Sequence, residues 1–152
     1  MSGTLTAAAP FPLRLKAYLA ERFPLWGNAV LIVSYYSSNQ FLARVLIDPG
    51  EPMQYTIHSL MGAIVLLCMF FHLRVFDEHK DFEEDSRHYP DRVLQRGVVT
   101  LTHLKVLGGT AIALELILGA MRGLPALTAV LIAFGFSVLM LKEFFVRAWL
   151  KR

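Results

Sequence analysis

The acidic run Asp77–Asp85 is the part of this chain whose residue types and spacing best suit chemistry. It reads Asp-Glu-His-Lys-Asp-Phe-Glu-Glu-Asp, and seven of the chain's 12 acidic residues fall between positions 77 and 91. Residues of a helix turn by about 100° each, so a helix places Asp77, Asp81 and Asp85 on one face. Like charges at this spacing repel each other. A hard divalent cation relieves the repulsion, and Mg²⁺ is commonly held by one or two carboxylates together with substrate phosphates.

Basic residues flank the acidic run, namely Lys80, Arg87, Arg92 and Arg96. Carboxylates mixed with cations suit a pyrophosphate that is bound through bridging Mg²⁺, because the metal neutralises phosphate oxygens while the cations hold them. Apolar helices beneath the run would accept the hydrocarbon part of an amphiphilic substrate. The alternative interpretation is a solvated, positively charged connection between two membrane helices.

The composition indicates a membrane protein. Hydrophobic residues make up 55% of the 152 residues, and the mean hydropathy is +0.49. Only helices satisfy backbone polar groups inside lipid at the observed segment lengths, so the predicted fold class is an all-α, polytopic integral membrane protein. We predict about four transmembrane helices, at Leu25–Ile47, Ile57–Phe76, Val98–Met121 and Leu124–Phe145.

The distribution of lysine and arginine predicts the orientation. Residues 1–22 form a predicted cytoplasmic arm, and residues 23–152 form one four-helix transmembrane domain with an acidic loop at about 77–96. Thirteen of the 15 basic residues lie in the arm, around the acidic loop or at the C-terminal end, and the other two are Arg44 and Arg122. Cytoplasmic flanks carry the excess of positive charge. Both termini and the acidic loop are therefore predicted to be cytoplasmic, in the cell inner membrane.

The distribution of the same charges also bears on which binding partners to expect. The basic residues are dispersed around membrane segments and are not clustered with aromatic residues, which argues against nucleic acid. Membrane lipid is the expected surrounding. The first 12 residues lack a basic region followed by an apolar core, so we expect no cleavable signal peptide.

The acidic run resembles the first aspartate-rich motif of the UbiA superfamily of membrane prenyltransferases. That motif reads Asn-Asp-x-x-Asp-x-x-x-Asp, and its four positions correspond here to Asp77, Glu78, Asp81 and Asp85. Downstream the family often has Arg-Pro-Leu-x-x-Gly, which is similar to Arg-Val-Leu-Gln-Arg-Gly at positions 92–97. The family carries the motif at the cytoplasmic end of its second helix. The resemblance covers the chain from about Arg22 to its end.

The resemblance implies transfer of an isoprenoid from a Mg²⁺-bound prenyl diphosphate to an acceptor such as an aromatic ring. It implies that the motif positions bind the metal (Asp77, Glu78, Asp81 and Asp85) and that nearby cations bind the diphosphate (Lys80, Arg87 and Arg92). It covers only the front half of the family, whose members carry a second aspartate-rich motif. After Asp91 the sequence has only Glu115 and Glu143 as acidic residues. We therefore expect a truncated product, or a subunit completed by a complementary chain or a second copy.

Two other functions stay open. A noncatalytic membrane scaffold that keeps an acidic cation site would account for the missing second motif. A haem protein is the more remote alternative, because His58 and His72 would stack two imidazoles about 21 Å apart on one helix face. That arrangement requires a second helix with matching histidines.

Two polar residues inside the predicted spans carry separate expectations. An isolated charge at Glu115 is costly in the bilayer, roughly 2.5 to 3.5 kcal/mol, so we expect it to be neutral or paired through a hydrogen bond. Asn39 lies in the polar stretch of the first segment. We expect it to form a hydrogen bond to another helix or to line a pocket.

Overall fold

The computed structural model describes residues 5–47, 49–50, 52 and 54–142. Six helices follow one another, and the described part of the chain contains no strand: α1 (Phe11–Arg22), α2 (Leu25–Ile47), α3 (Ile57–Lys80), α4 (Phe82–His88), α5 (Leu101–Met121) and α6 (Leu124–Leu141). The predicted all-α class is confirmed.

Three helices among the described residues, α3, α5 and α6, are long and apolar enough to cross a membrane. The prediction of about four such helices therefore exceeds what the structure supports by one. The difference lies in α2, which has the predicted bounds and, with 23 residues, the necessary length. Its middle, at positions 34–40, is a run of serine, tyrosine, asparagine and glutamine that lowers its hydropathy.

The other predicted bounds differ by about one turn. α3 continues one turn past Phe76 to Lys80, and α5 begins at Leu101, three residues after the predicted start. α5 starts there because the side chain of Thr100 accepts a hydrogen bond from the backbone N–H of His103, at 3.3 Å. Such an N-cap satisfies a backbone donor that the first turn leaves free. The last predicted residues of the fourth segment, with Phe144, Phe145 and the C-terminal basic residues, lie outside the described residues.

α2 lies antiparallel to α3 along most of its length. The rings of Phe23 and Phe71 meet edge to face, with centroids 5.3 Å apart, at one end of the pair. Farther along, Tyr36 packs so closely on Gly62 that no side chain fits there. At the other end, Gln40 donates a hydrogen bond to the Ser59 hydroxyl at 3.0 Å. α2 therefore leads the chain from one end of α3 to the other.

The polar stretch of α2 makes only part of the contacts expected of it. The expectation for Asn39 is wrong, because its side-chain amide donates to the Tyr35 carbonyl of the same helix, at 2.8 Å, and is exposed. Asparagine often bonds to nearby backbone in this way. The bond between helices is made by the next residue, Gln40.

The second half of the chain is an antiparallel pair of helices, α5 and α6, joined by a short turn at positions 122–123. Gly123 has a φ of +96°, a conformation that favours glycine. Close packing depends on two other glycines: Gly108 faces Val75 of α3, and Gly119 faces Val130 of α6. Small residues at such points let helices approach within a membrane.

A buried pair of ionisable residues joins α3 to α5. The Nδ1 atom of His72 lies 2.7 Å from a carboxylate oxygen of Glu115, and both side chains are buried. The expectation that Glu115 is paired is confirmed. Polar groups within apolar helices are costly unless they bond to each other, so this pair fixes the register of α3 against α5.

The largest cluster of buried hydrophobic residues lies at one end of the bundle, which we call the acidic end. It is formed by α1, the C-terminal turns of α3, the segment 92–99 and the start of α5. The buried cluster there comprises Tyr18, Val75, Val93, Leu94, Val98, Val99 and Leu104. α1 covers this cluster, so the predicted cytoplasmic arm contains a packed helix.

We predict that Gly108→Leu lowers the free energy of unfolding by about 1 to 3 kcal/mol, because a side chain there overpacks against Val75. Gly109→Leu is the matched control, since a Cβ at Gly109 meets nothing within 4 Å. Leucine also has a higher helix propensity than glycine. Denaturation of both variants in the same detergent checks this. Equal losses would contradict the packing described.

We predict that His72→Leu and Glu115→Leu each destabilise the protein, because each leaves a buried polar partner unpaired. The double variant should lose less than the two single variants together, by about 1 kcal/mol or more. A double-mutant cycle of unfolding free energies measures this coupling. Strict additivity would mean that the pair does not hold α3 against α5.

Candidate functional site

The acidic run spans the junction of α3 and α4. The backbone N–H of Asp81 bonds to the carbonyl of Asp77 at 2.9 Å, and that of Asp85 bonds to the carbonyl of Asp81 at 2.8 Å. The helical hydrogen bonds thus continue across the junction, where Asp81 alone has irregular dihedral angles. α4 ends at His88, just before Tyr89 and Pro90. Helical bonding thus passes Asp85 and stops before Pro90, since the residue before a proline is disfavoured in a helix.

Glu78 and Asp85 form an inner pair of carboxylates that face α1. Glu78 is 1% exposed, and one of its oxygens accepts a hydrogen bond from Nε of Arg22 at 2.6 Å. The same guanidinium lies 3.3 Å from Asp85, and Nη1 of Arg92 lies 2.8 Å from the same Asp85 oxygen. Two arginines therefore balance the charge of two carboxylates.

Asp77 and Asp81 form an outer pair on a different face. Their side chains are 53% and 47% exposed, and Lys80 lies between them at 3.7 and 3.8 Å. Partial burial raises the pKa of the Asp81 carboxyl, and so do the nearby charges of Asp77, Asp85 and Glu84, against the opposing charge of Lys80. Asp77, Asp81 and Asp85 therefore do not form one group, although helical hydrogen bonds link all three. A drift of about 40° per step turns Asp85 toward Glu78, which lies two helical turns earlier on the same face, and Arg22 contacts both.

The predicted metal ligands and diphosphate contacts are thus only partly brought together. Arg92 belongs to the inner pair, Lys80 belongs to the outer pair, and Arg87 is exposed near the end of α4. In the described part of the chain, no three histidine, cysteine or acidic side chains lie close enough to share one metal ion. The inner pair is the better candidate for a site, because it is enclosed and flanked by two arginines.

α1 positions Arg22 through contacts at both of its ends. The carbonyl of Arg22 accepts a hydrogen bond from Arg74 of α3 at 3.1 Å. The carboxylate of Glu21 accepts the backbone N–H of Val93 at 3.2 Å, and Arg14 donates to the carbonyl of Val98 at 3.1 Å. These bonds satisfy backbone groups of the irregular segment 92–99, which would otherwise be left unpaired. They tie α1 to the chain on both sides of the acidic run.

The segment that carries Arg92 is itself held in place. Val93 and Leu94 are buried in the cluster at the acidic end, and Gly97 closes the turn with a φ of +70°. Glycine suits this turn because other residues are strained in that conformation. The guanidinium of Arg92 also lies 3.7 Å above the ring of Tyr89, a favourable cation–π contact. The buried segment that follows Arg92 and the ring of Tyr89 together hold its guanidinium toward Asp85.

Two buried oxygens at this site lack hydrogen-bond partners among the described residues. They are Oε2 of Glu78 and the hydroxyl of Tyr18. Burial, followed by the charge of Glu78, raises the pKa of Tyr18 above its ordinary value. Burial opposes the charge of Arg22, but its bond to Glu78 and the charges of Glu78 and Asp85 together raise the pKa of its guanidinium. A buried carboxylate oxygen with no partner fits a hard cation such as Mg²⁺.

Sequence reasoning missed the contacts of Arg22, Glu21 and Tyr18, because residues 1–22 were predicted only to be a cytoplasmic arm, with no helix that packs beside the acidic run. A signal was present: Phe11, Leu15 and Tyr18 recur at helical spacing, and Pro10 and Pro12 stand where prolines start helices. No spacing along the chain links Arg22 to Glu78, 56 residues away. That contact depends on the fold.

Comparisons of the chain with protein-family models, with curated proteins and with solved structures give no match.

We predict that Arg22→Ala destabilises the protein by about 3 to 5 kcal/mol, the usual cost of leaving a buried charge unpaired. Glu78→Gln in the same chain should restore part of the loss, because it removes the uncompensated charge. Lys16→Ala, on the exposed face of α1, is the control and should have little effect. Unfolding in detergent measures all three. Failure of Glu78→Gln to rescue Arg22→Ala would contradict the pairing.

Proposed function

We propose that this chain is a UbiA-like membrane protein that binds a prenyl diphosphate with Mg²⁺ at the inner pair. The observation that carries the proposal is the buried carboxylate of Glu78, which has one unpaired oxygen and lies beside Asp85 and two arginines. Most buried carboxylate oxygens in proteins have a hydrogen-bond partner, so the unpaired oxygen of Glu78 can accept a ligand. The resemblance of the acidic run to the family's first aspartate-rich motif includes these two residues among its four positions.

Arg22 and Arg92 fit the role of diphosphate contacts. A guanidinium has five N–H donors, and the bonds to the two carboxylates use two from Arg22 and one from Arg92. The remaining donors can bind phosphate oxygens, for which arginine is well suited. Arg22 thus joins Arg92 in the proposed site, ahead of Lys80 and Arg87, which lie outside the inner pair.

The proposed reaction is prenyl transfer. The bond between the allylic carbon and the diphosphate oxygen breaks, and the diphosphate leaves with the electron pair. The prenyl carbon then bonds to the acceptor, which loses a proton. Mg²⁺, when bound, supplies charge neutralisation for the leaving diphosphate. In this chain Glu78 and Asp85 hold the metal, the arginines orient the diphosphate, and the cover of α1 limits the access of water.

The proposed topology has four crossings, with α2 as the fourth. α2 runs antiparallel to α3 from its Phe71 region to Ser59, and α1 packs on the connection that follows α3. If α3 crosses the membrane, α2 must cross it too, because α1 is at the acidic end. Both termini and the acidic run then face the cytoplasm. The exposed polar groups of α2 would face other helices, from a second copy or a complementary chain that supplies the second motif.

A noncatalytic scaffold is the second candidate. The observation that favours it is that Arg22 and Arg92 already neutralise the inner pair without any metal. In that case the inner pair fastens α1 to the bundle and has no ligand. The haem alternative gains no support, since it requires matching histidines on a second helix, and the one histidine of α5, His103, bonds to Thr100 at the start of that helix.

Equilibrium binding of a labelled farnesyl diphosphate to the purified chain separates the two candidates. We predict saturable binding that requires Mg²⁺ and is lost on chelation. Glu78→Gln and Asp85→Asn should weaken it at least about tenfold, because hydrogen bonds and ligand bonds of charged groups are worth about 1.5 to 3 kcal/mol.

Glu83→Gln is the matched control for this experiment. Glu83 lies in the same acidic run but is exposed on α4, so its loss removes the same charge without touching the inner pair. Binding that falls equally in Glu83→Gln and Asp85→Asn would reflect general charge and would contradict the proposed site. Absence of Mg²⁺-dependent binding in the unaltered chain would favour the scaffold.

A further inference from the structure

An apolar groove of about 300 Å³ lies between α3, α5 and α6 near the acidic end. Its wall combines apolar side chains with glycines and two basic residues: Val75, Phe76, His79, Lys105, Gly108, Gly109, Ile112 and Leu141. The glycines create the space, since a Cβ at Gly109 would meet no atom within 4 Å. The groove lies between three helices that are long and apolar enough to cross a membrane, so a bilayer component is its expected occupant.

The polar side chains of the groove are all basic. Lys105 is exposed and has no carboxylate within ion-pair distance in the described part of the chain. Nδ1 of His79 is bonded to the carbonyl of Val75 at 2.8 Å, which leaves Nε2 for another partner. Lys142 directly follows the lining residue Leu141 and is exposed. The groove thus has an apolar body and a cationic rim.

This groove is separate from the inner pair. Glu78 and His79 are neighbours in α3, so their side chains point about 100° apart around the helix. Glu78 faces α1, whereas His79 faces the groove. A ligand in the groove therefore does not contact Arg22 or Asp85.

We propose that the groove binds one acyl chain of an anionic phospholipid, with its phosphate at Lys105. Charge complementarity selects the headgroup, because basic residues at the cytoplasmic surface attract anionic lipids. The apolar wall selects the acyl chain, and a position between helices that can cross a membrane gives a bilayer lipid access to the groove. The inference requires membrane insertion and does not depend on the proposed prenyltransferase activity.

Native mass spectrometry of the full chain in detergent tests this site, with dioleoyl phosphatidylglycerol and dioleoyl phosphatidylcholine as probes. The two lipids share their acyl chains and differ in headgroup charge. We expect one phosphatidylglycerol to bind more tightly than phosphatidylcholine. Lys105→Gln should weaken its binding about fivefold, and Gly109→Leu should abolish it by filling the groove. Lys16→Gln, which removes a lysine of α1 away from the groove, should leave it unchanged.

Three results would overturn the proposal: equal binding of both lipids, equal losses in Lys16→Gln and Lys105→Gln, or unchanged binding in Gly109→Leu. A fourth is displacement of phosphatidylglycerol by farnesyl diphosphate, which would assign the groove to the substrate. Glu78→Gln should not affect phospholipid binding. Variants of the inner pair thus test prenyl diphosphate binding, and variants of the groove test phospholipid binding, so either proposal can fail without the other.

Discussion

The ion pair between Arg22 and Glu78 is the contact on which the arrangement of this protein most depends. A carboxylate as deeply buried as Glu78 is stable only when it is paired, and Arg22 pairs with it while also reaching Asp85. The same contact fastens α1 to the end of α3. Because Arg22 lies three residues before α2, the contact places the start of α2 beside the acidic run. α2 then runs antiparallel to α3, away from that end.

The rest of the molecule shows why such a contact is needed. The helices that can cross a membrane bury few side chains against each other, and α6 buries only Ser137 among its described residues. Lipid is as apolar as these side chains, so association in a bilayer depends on close packing and on polar bonds. Gly108, Gly119 and the pair of His72 with Glu115 provide these between the three helices that are long and apolar enough to cross a membrane. The hydrophobic cluster at the acidic end provides further packing.

Much of the helical order could be read from the sequence, because apolar runs and turns are local signals. The bounds of α2, the turn at Gly123 and the pairing of Glu115 were predictable for this reason. The site was less predictable. Helical phase grouped Asp77 with Asp81 and Asp85, but it could not show that Asp85 and Glu78 are the two that Arg22 joins. The contact between Arg22 and Glu78 joins residues 56 positions apart, and no local spacing of residues indicates it. The partners of the polar residues of α2 likewise cannot be inferred from composition.

We propose above that the inner pair is a ligand site, at which Arg22 and Arg92 bind a diphosphate. The most direct measurement is an experimental structure of the chain with Mg²⁺ and farnesyl thiodiphosphate, an analogue that reacts slowly. We predict density for the metal at Glu78 and Asp85, and density for the diphosphate in contact with Arg22 and Arg92. A structure in which Arg22 keeps its contacts with both carboxylates, while the analogue binds elsewhere or not at all, would contradict it.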